Sequence, residues 1–197
     1  DFTEDGTPDP GRKPWGYISA SQIKSFIRCS RRWWMDRWGG YPRTGSKSTR
    51  FGTLLHAVAE DYVGGKDIWA EDYAPAPDRG SDETKSPARL PEAIRRLSAA
   101  IEEGHVPAPM SMETEREIKF PPEGWPVPAL GYIDGFDGVS GEHPLVVDYK
   151  TTGSPDWALR PETMARDPQV VLYAAWALHA YPEAARVTVR LIYIKNK

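Results

Sequence analysis

The sequence predicts an α/β domain with a mixed central sheet flanked by helices. Amphipathic helical periodicity dominates residues 17–104, and strand-like segments dominate residues 105–197. A short turn joins the second and third predicted strands, which favours antiparallel pairing, whereas a helix joins the third strand to the fourth, which favours a parallel pair. We expect residues 1–16 to form a flexible arm and residues 17–197 to form a single domain.

The composition is that of an ordinary globular chain and excludes several classes of protein. The 197 residues are 40% hydrophobic and 27% charged, and 25 basic residues against 28 acidic ones give a formal net charge of −3. A nucleic-acid-binding surface would therefore have to be local. The single cysteine, Cys29, excludes an internal disulfide and a four-cysteine cluster, and it fits a reducing cytoplasm. No apolar run is long enough to span a membrane, no signal peptide is visible, and the first residue is Asp rather than Met, as in a trimmed chain.

The first predicted helix begins at a capping box, in which Ser19 is followed three residues later by Gln22. Its apolar residues at helical spacing are expected on the buried side: Ile23, Phe26 and Ile27. A second helix is predicted over residues 31–38, ending at Gly39-Gly40.

Basic and aromatic side chains are interleaved around this second helix. Between residues 28 and 50 there are seven Lys or Arg residues and one acidic residue, with three Trp and one Tyr among them. Guanidinium groups pair with phosphates and aromatic rings stack on bases, so Arg31, Arg32 and Trp33 are candidate DNA contacts. The alternative is an amphipathic helix that buries its Trp and exposes its Arg side chains, and the two interpretations are compatible.

A third helix, predicted over residues 50–60, carries a candidate metal ligand. Gly52 and His56 lie one turn apart on the same face, where a Gly lets a metal site or a backbone approach closely. Glu60, one turn further on, could orient the imidazole. The alternatives are a hydrogen-bonded structural histidine and a surface Glu. A surface excursion over residues 64–86 and a further helix over residues 87–103 follow, and neither carries a candidate site.

Acidic residues occur on two of the predicted strands. The strand over residues 112–120 carries three of them on one side, which is more typical of a solvated face than of a supplement to a metal site: Glu113, Glu115 and Glu117. On the strand over residues 127–137, Asp134 shares a face with Tyr132 and Phe136. Burying its carboxylate is costly unless something pairs with its charge.

The strand over residues 145–152 holds the most informative pair of charges. Successive side chains point to opposite faces, so Asp148 and Lys150 share one face and Tyr149 takes the other. An edge strand whose Asp and Lys face water is the alternative. If this strand pairs with the preceding one, Asp134 and Asp148 lie close enough to share a cation.

A buried helix and a final strand complete the predicted sheet. Asp167 and Pro168 are typical of a helix start, and the helix over residues 169–180 presents Gln169 and Tyr173 on one polar edge. A buried strand follows over residues 187–194.

Taken in chain order, these motifs form a specific set, although each is weak alone. They are Ser19-Ala20-Ser21, Phe51-Gly52-x-x-x-His56, Leu130-Gly131-Tyr132-Ile133-Asp134, Val147-Asp148-Tyr149-Lys150-Thr151 and Gln169-x-x-x-Tyr173. The set resembles the RecB-like branch of the PD-(D/E)xK nuclease superfamily, which includes CRISPR-associated and phage-encoded RecB-type exonucleases. The resemblance implies a restriction-endonuclease-like fold and a metal-dependent deoxyribonuclease that acts on DNA, as single strands or duplex ends.

The resemblance also implies roles for single residues. His56, Asp134 and Asp148 would bind Mg²⁺ or Mn²⁺ with the backbone carbonyl of Tyr149. Lys150 would orient or activate the attacking water and stabilise charge on the phosphate. Gln169 and Tyr173 would position the substrate or the lysine. The other candidate substrate contacts are Thr151 and the residues of the basic and aromatic stretch: Arg31, Arg32 and Trp33.

The sequence departs from the family pattern in two places, and other functions stay open. Many relatives hold an iron–sulfur cluster with four cysteines, whereas Cys29 stands alone, so no such cluster is expected. Ile133 replaces the Pro of the superfamily pattern, a common form in this branch. The expected role is that of an exonuclease in DNA recombination, repair or phage DNA processing, in the cytoplasm of a bacterium or a phage-infected cell. The alternatives are an endonuclease with the same site and an inactive module that binds DNA ends.

Overall fold

A computed structural model describes residues 16–38, 47–66, 90–105, 112–138 and 142–195. The helices are α1 Ala20–Arg28, α2 Ser30–Trp38, α3 Lys47–Val63, α4 Leu90–Glu102, α5 Pro161–Met164 and α6 Pro168–Ala180. The strands are β1 Glu113–Phe120, β2 Ala129–Asp137, β3 Leu145–Thr152 and β4 Thr188–Lys195. The predicted arm up to residue 15, Gly39-Gly40 and residues 67–89 lie outside the described residues.

The four strands form one mixed sheet in the order β1-β2-β3-β4. β1 pairs with β2 and β2 with β3 in antiparallel fashion, whereas β3 and β4 are parallel. The connection between the two parallel strands contains α6, which supplies the length that such a crossover needs. The predicted class, a mixed sheet flanked by helices, is therefore confirmed.

Helices cover both faces of the sheet, and the alternating side chains of β3 serve both layers. Val147 and Tyr149 pack with Leu55 of α3 and with α4, and Val146 packs with Trp176 of α6. α6 nevertheless leaves Val171 and Leu178 half-exposed, so it is less buried than its apolar sequence predicts. In the described part of the chain, no helix has both the length and the apolarity needed to cross a bilayer.

β2 and β3 diverge after a short pairing, which opens a gap in the sheet. Only Gly135–Asp137 of β2 pair with β3. Further back on β2, Ala129 pairs with β1 on one side and forms a parallel bridge with Ile18 on the other. Ile18 donates its N–H to the Pro128 carbonyl, at 2.9 Å. The segment before α1 therefore lies next to β2 where β3 no longer pairs with it.

The packing of α1 differs from the expectation. Ser19 accepts a hydrogen bond from the Gln22 N–H, so the predicted N-cap is confirmed, but the Gln22 side chain has no hydrogen bond to a described residue and the second half of the capping box is not formed. However, Phe26 and Ile27 are 51% and 72% exposed, and the expectation that they are buried is wrong. The reason is that α1 meets the α6 layer near its start, through Ile23, whereas Phe26 contacts the Trp33 ring of α2 edge to face.

Candidate active site

The first part of the site joins α3 to β2. His56 Nδ1 lies 3.0 Å from Asp134 Oδ1, and the other carboxylate oxygen accepts the N–H of Tyr149 at 2.7 Å. This last bond forms just beyond the point where the β2–β3 pairing ends. Asp134 thus has the partners that its burial requires. It turns toward α3 whereas Phe136 packs in the α6 layer, so the shared face expected for these two residues is not kept.

The break in alternation falls at a glycine. Gly135 follows Asp134, and the methyl group of Met112 occupies the place that a Cβ on this residue would take. A larger residue here would force Met112 or the strand to shift. The glycine therefore helps to hold β2 in the course that brings Asp134 to His56.

Glu115 of β1 is the third member of this group. Its neighbours Thr114 and Arg116 pair with Gly135 and Ile133, which places Glu115 opposite Asp134. Its φ is +48°, in the left-handed region that residues other than Gly seldom adopt. One possible ligand atom from each of His56, Glu115 and Asp134 lies within 4.8 Å of the others. Glu115 is exposed, as expected, but it also reaches the site, which the sequence analysis did not favour.

Asp148 and Lys150 form the second part of the site. Asp148 is 1% exposed, and its Oδ2 lies 2.5 Å from Lys150 Nζ. Its Oδ1 accepts a hydrogen bond from Gln169 Nε2 at 2.8 Å. The Tyr173 hydroxyl is 3.4 Å from the same oxygen, but it lies closer, at 2.5 Å, to the Tyr132 carbonyl and donates its proton there. The predicted pairing of Asp148 and Lys150 on one face is thus realised as an ion pair.

The polar edge of α6 fixes Asp148 and is itself held by α1. Gln169 Nε2 also donates to the Tyr173 hydroxyl at 2.8 Å, and its Oε1 lies 3.4 Å from Lys24 Nζ. The same ammonium contacts the carboxylate of Asp167, the N-cap of α6, at 2.9 Å. The sequence analysis missed Lys24, because no local pattern links α1 to a helix so far along the chain.

Negative charge dominates the electrostatics of the site. The hydrogen bond to Asp134 and the charges of both aspartates raise the pKa of His56, against burial and Lys150, which lower it. Burial and the charge of Asp134 raise the pKa of Asp148, although Lys150 and His56 act in the opposite direction. Burial, Asp134 and Glu60 also raise the pKa of Glu115. For both carboxylates burial is the first cause of the raised pKa, and the negative charge of Asp134 adds to it.

A family model described as the PD-(D/E)XK nuclease superfamily matches residues 17–197. The chain belongs to this superfamily. The sequence assigns Asp134 and Asp148-x-Lys150 to the motif from which this superfamily takes its name, and that assignment stays a prediction. Membership implies a hydrolase that acts on nucleic acid, and nucleases of this superfamily generally use divalent metals.

One of the solved structures that resemble this chain shares its fold, whereas no curated protein sequence matches the chain. The crystal structure of a "Putative exonuclease" from Eubacterium rectale superposes with a TM-score of 0.60 and 14% identity, covering 92% of this chain and 69% of that one. At this identity the likeness shows the fold alone. The crystal structure of SSO0001 reaches a TM-score of 0.31 at 17% identity, over 77% of this chain and 73% of that one, which is too low to support an argument.

The donor set of this nuclease fits a divalent cation. These donor atoms lie within 4.8 Å of one another, so small side-chain shifts would bring them to the roughly 2.0–2.6 Å typical of Mg²⁺ or Ca²⁺ ligands. Carboxylates with one imidazole suit hard or borderline cations. In addition, the buried Asp148 Oδ2 lies 2.5 Å from Lys150 Nζ and has no further partner among the described residues. Asp148, which the sequence analysis expected among the metal ligands, is not part of the group formed by His56, Glu115 and Asp134, and its role as a ligand stays a prediction.

The other predicted site residues are more scattered. Arg31 and Arg32 are exposed on α2, and Trp33 is half-buried against Phe26. Thr151 Oγ1 lies 3.6 Å from where a Cβ on Gly52 would be, so it packs against α3 one turn before His56. Tyr149 contributes its N–H to the Asp134 carboxylate. A role for its carbonyl, and for Thr151 and the α2 residues, stays a prediction.

Proposed function

We propose that this nuclease hydrolyses DNA phosphodiester bonds with a divalent cation, Mg²⁺ or Mn²⁺, and acts as an exonuclease. The observation that carries the proposal is the convergence of His56, Glu115 and Asp134 beside the Asp148–Lys150 ion pair. The resemblance of the sequence to RecB-type exonucleases supports a place in DNA recombination, repair or phage DNA processing.

The cation would be held by His56, Glu115 and Asp134, with Asp148 and the Tyr149 carbonyl as further ligands. When bound, it would supply Lewis-acid stabilisation of negative charge on the phosphate oxygens. Binding would also stabilise the ionised forms of Asp148 and Glu115, whose pKa values are raised by burial and by the charge of Asp134.

Lys150 is the group of this chain best placed to act on the reacting phosphate. Its side chain is 29% exposed although its ammonium contacts a carboxylate that is almost fully buried. An ammonium has three donors, so those not directed at Asp148 are free to hold a water molecule or a phosphate oxygen. Fixed positive charge next to developing negative charge is a large contribution to catalysis.

Asp148 and Gln169 position this lysine. Asp148 holds the ammonium through Oδ2, while Gln169 holds Oδ1 and so fixes the carboxylate plane. The Tyr173 hydroxyl accepts a hydrogen bond from Gln169 Nε2 and so helps to fix the Gln169 side chain. Substitution of Gln169 would therefore alter the placement of Lys150 without touching the phosphate.

The test is the digestion of end-labelled linear DNA and of a covalently closed circle of the same sequence, each with Mg²⁺, Mn²⁺ or chelator. An exonuclease degrades the linear DNA in the presence of metal, leaves the circle intact and shows no activity in chelator. Cleavage of the circle contradicts exonuclease action and supports the endonuclease. Cleavage in chelator contradicts metal dependence. Binding of ends without turnover under any metal contradicts catalysis and supports an inactive end-binding module.

A further inference from the structure

A cavity of about 400 Å³ lies beside the candidate active site, between the start of α1, β2 and α6. It is located where β2 and β3 diverge and Ile18 bridges to Ala129. Its volume falls in the range of about 300–1,000 Å³ found for small-ligand sites. Gln169 and Tyr173 line it, and both side chains also reach Asp148. A ligand in the cavity would therefore contact Gln169 and Tyr173, which in turn contact Asp148.

Aromatic rings and apolar side chains form much of the cavity wall. Tyr17 and Tyr132 line it and are 36% and 52% exposed, whereas Leu172 and Phe120 are buried in the core. The Tyr132 hydroxyl donates to Glu117 Oε2 at 2.9 Å, and Glu117 stands opposite Tyr132 in the β1–β2 register. An exposed ring that is held in place in this way is a ready surface for a stacked base.

Polar groups at the cavity match the edges of a nucleotide. The hydroxyls of Ser19 and Ser21, 3.0 Å apart, and the ammonium of Lys24 belong to its lining. These groups can donate hydrogen bonds to a base, a sugar or a phosphate. The lining that the structure describes includes no acidic side chain, although two of its members, Tyr132 and Lys24, contact the carboxylates of Glu117 and Asp167.

We propose that this cavity binds the base of one unpaired nucleotide next to the phosphodiester bond that is cut. The proposal rests on the proposed nuclease function and adds a substrate class to it. A base inside a duplex is stacked and paired, and it must be extruded before a pocket can take it up. The substrate is therefore a strand whose reacting nucleotide is unpaired, as in single-stranded DNA or a frayed end.

Steady-state cleavage of a short single strand, compared with the same strand carrying abasic sites at both terminal nucleotides, tests the proposal. Tyr132→Ala is expected to raise KM about tenfold through the loss of one stacked base, with kcat within about twofold. Tyr132→Phe keeps the ring and should recover most of this loss. Trp157→Ala, which removes an aromatic side chain that is 74% exposed and lies outside the cavity lining, is the matched control.

Combining the Tyr132→Ala substitution with the abasic strand shows whether the ring and the terminal base interact. If the Tyr132 ring stacks on the terminal base, the abasic strand raises KM for the wild type but not further for Tyr132→Ala. The proposal is overturned if the abasic strand raises KM by the same factor for Tyr132→Ala as for the wild type, or if Tyr132→Ala leaves KM unchanged. Annealing the strand to its complement should raise KM, and an unchanged KM overturns the substrate class.

Affinities measured in chelator by fluorescence anisotropy separate this proposal from the proposed function. Absence of cleavage by the wild type with any metal refutes the nuclease activity. The binding comparison is still decisive in that case. Weaker binding of the abasic strand by the wild type, but not by Tyr132→Ala, supports the cavity as a base site, and equal affinity for the two strands refutes it.

Discussion

Tyr149 and Tyr173 are both buried but differ in the hydrogen bonding of their hydroxyl groups, and a Phe substitution at each position can measure this difference. Tyr149 is 1% exposed in the core beneath α3 and α4, and its hydroxyl has no hydrogen bond to any residue that the structure describes. The Tyr173 hydroxyl donates to the Tyr132 carbonyl at 2.5 Å and accepts from Gln169 Nε2 at 2.8 Å. Tyr149→Phe therefore removes a hydroxyl without a hydrogen-bond partner among the described residues, whereas Tyr173→Phe removes a hydroxyl that makes two hydrogen bonds.

The expected changes in the free energy of unfolding have opposite signs. A buried polar group without a partner costs about 1–3 kcal/mol, so Tyr149→Phe should stabilise the fold by about 1 kcal/mol. Tyr173→Phe removes two hydrogen bonds and leaves a carbonyl without its donor, so it should destabilise the fold by about 2–3 kcal/mol. For a chain of this size, a difference of about 3–4 kcal/mol corresponds to roughly 6–16 °C in Tm. Burial raises the pKa of both phenols, so neither is charged at neutral pH.

Urea unfolding followed by tryptophan fluorescence, in chelator, measures both variants without a contribution from bound metal. A Tyr149→Phe variant that loses 1 kcal/mol or more would show that its hydroxyl is satisfied after all. A Tyr173→Phe variant as stable as the wild type would refute the network that joins β2 to α6.

Two further predictions concern the metal-binding group. The hydrogen bond to Asp134 raises the pKa of His56 above 6.5, so the pair stabilises the metal-free fold fully below pH 6.5, and this contribution is lost as the pH rises through the folded pKa. Between about pH 6 and 8 in chelator, the wild type should lose more unfolding free energy than His56→Gln, and parallel profiles would contradict the assignment. Glu115→Gln relieves repulsion with Asp134, so it should maintain or raise Tm in chelator but reduce the rise that Mn²⁺ produces. Glu123→Gln, an exposed acidic residue in the β1–β2 turn, is the control, and an equal Mn²⁺ effect in both variants would exclude Glu115 as a ligand.

Local patterns in the sequence were enough for the four strands, for most of the helices and for the arrangement of one part of the candidate site, but α5 was not predicted. β3 has the predicted bounds because a run of branched apolar residues ends in a charged pair and a turn. The short connection between β2 and β3 made an antiparallel pair the simplest arrangement, and this brings Asp134 toward Asp148. Gln169 and Tyr173 meet because residues one turn apart on a helix lie side by side.

The other half of the site depends on register and on long-range packing, which local patterns do not contain. Glu115 could be told from Glu113 and Glu117 only by the β1–β2 register, and the long turn between these strands does not fix it. Its positive φ leaves no mark in the sequence. Lys24 reaches Gln169 only because α1 packs near the start of α6. In the same way, the periodicity of Phe26 and Ile27 shows that they share a helix side but not that this side is covered.

The most direct measurement of the central claim is the single-turnover cleavage of single-stranded DNA with Mn²⁺ by Lys150→Ala. Lys119→Ala, which removes an exposed lysine of β1, is the control. Loss of a charge that stabilises the transition state predicts a rate lowered by about 10²–10³-fold in Lys150→Ala and unchanged in Lys119→Ala. Circular dichroism and DNA affinity in chelator should stay close to those of the wild type in both variants. A folded Lys150→Ala variant that cleaves at the wild-type rate would contradict the assignment of the Asp148–Lys150 pair to the active site.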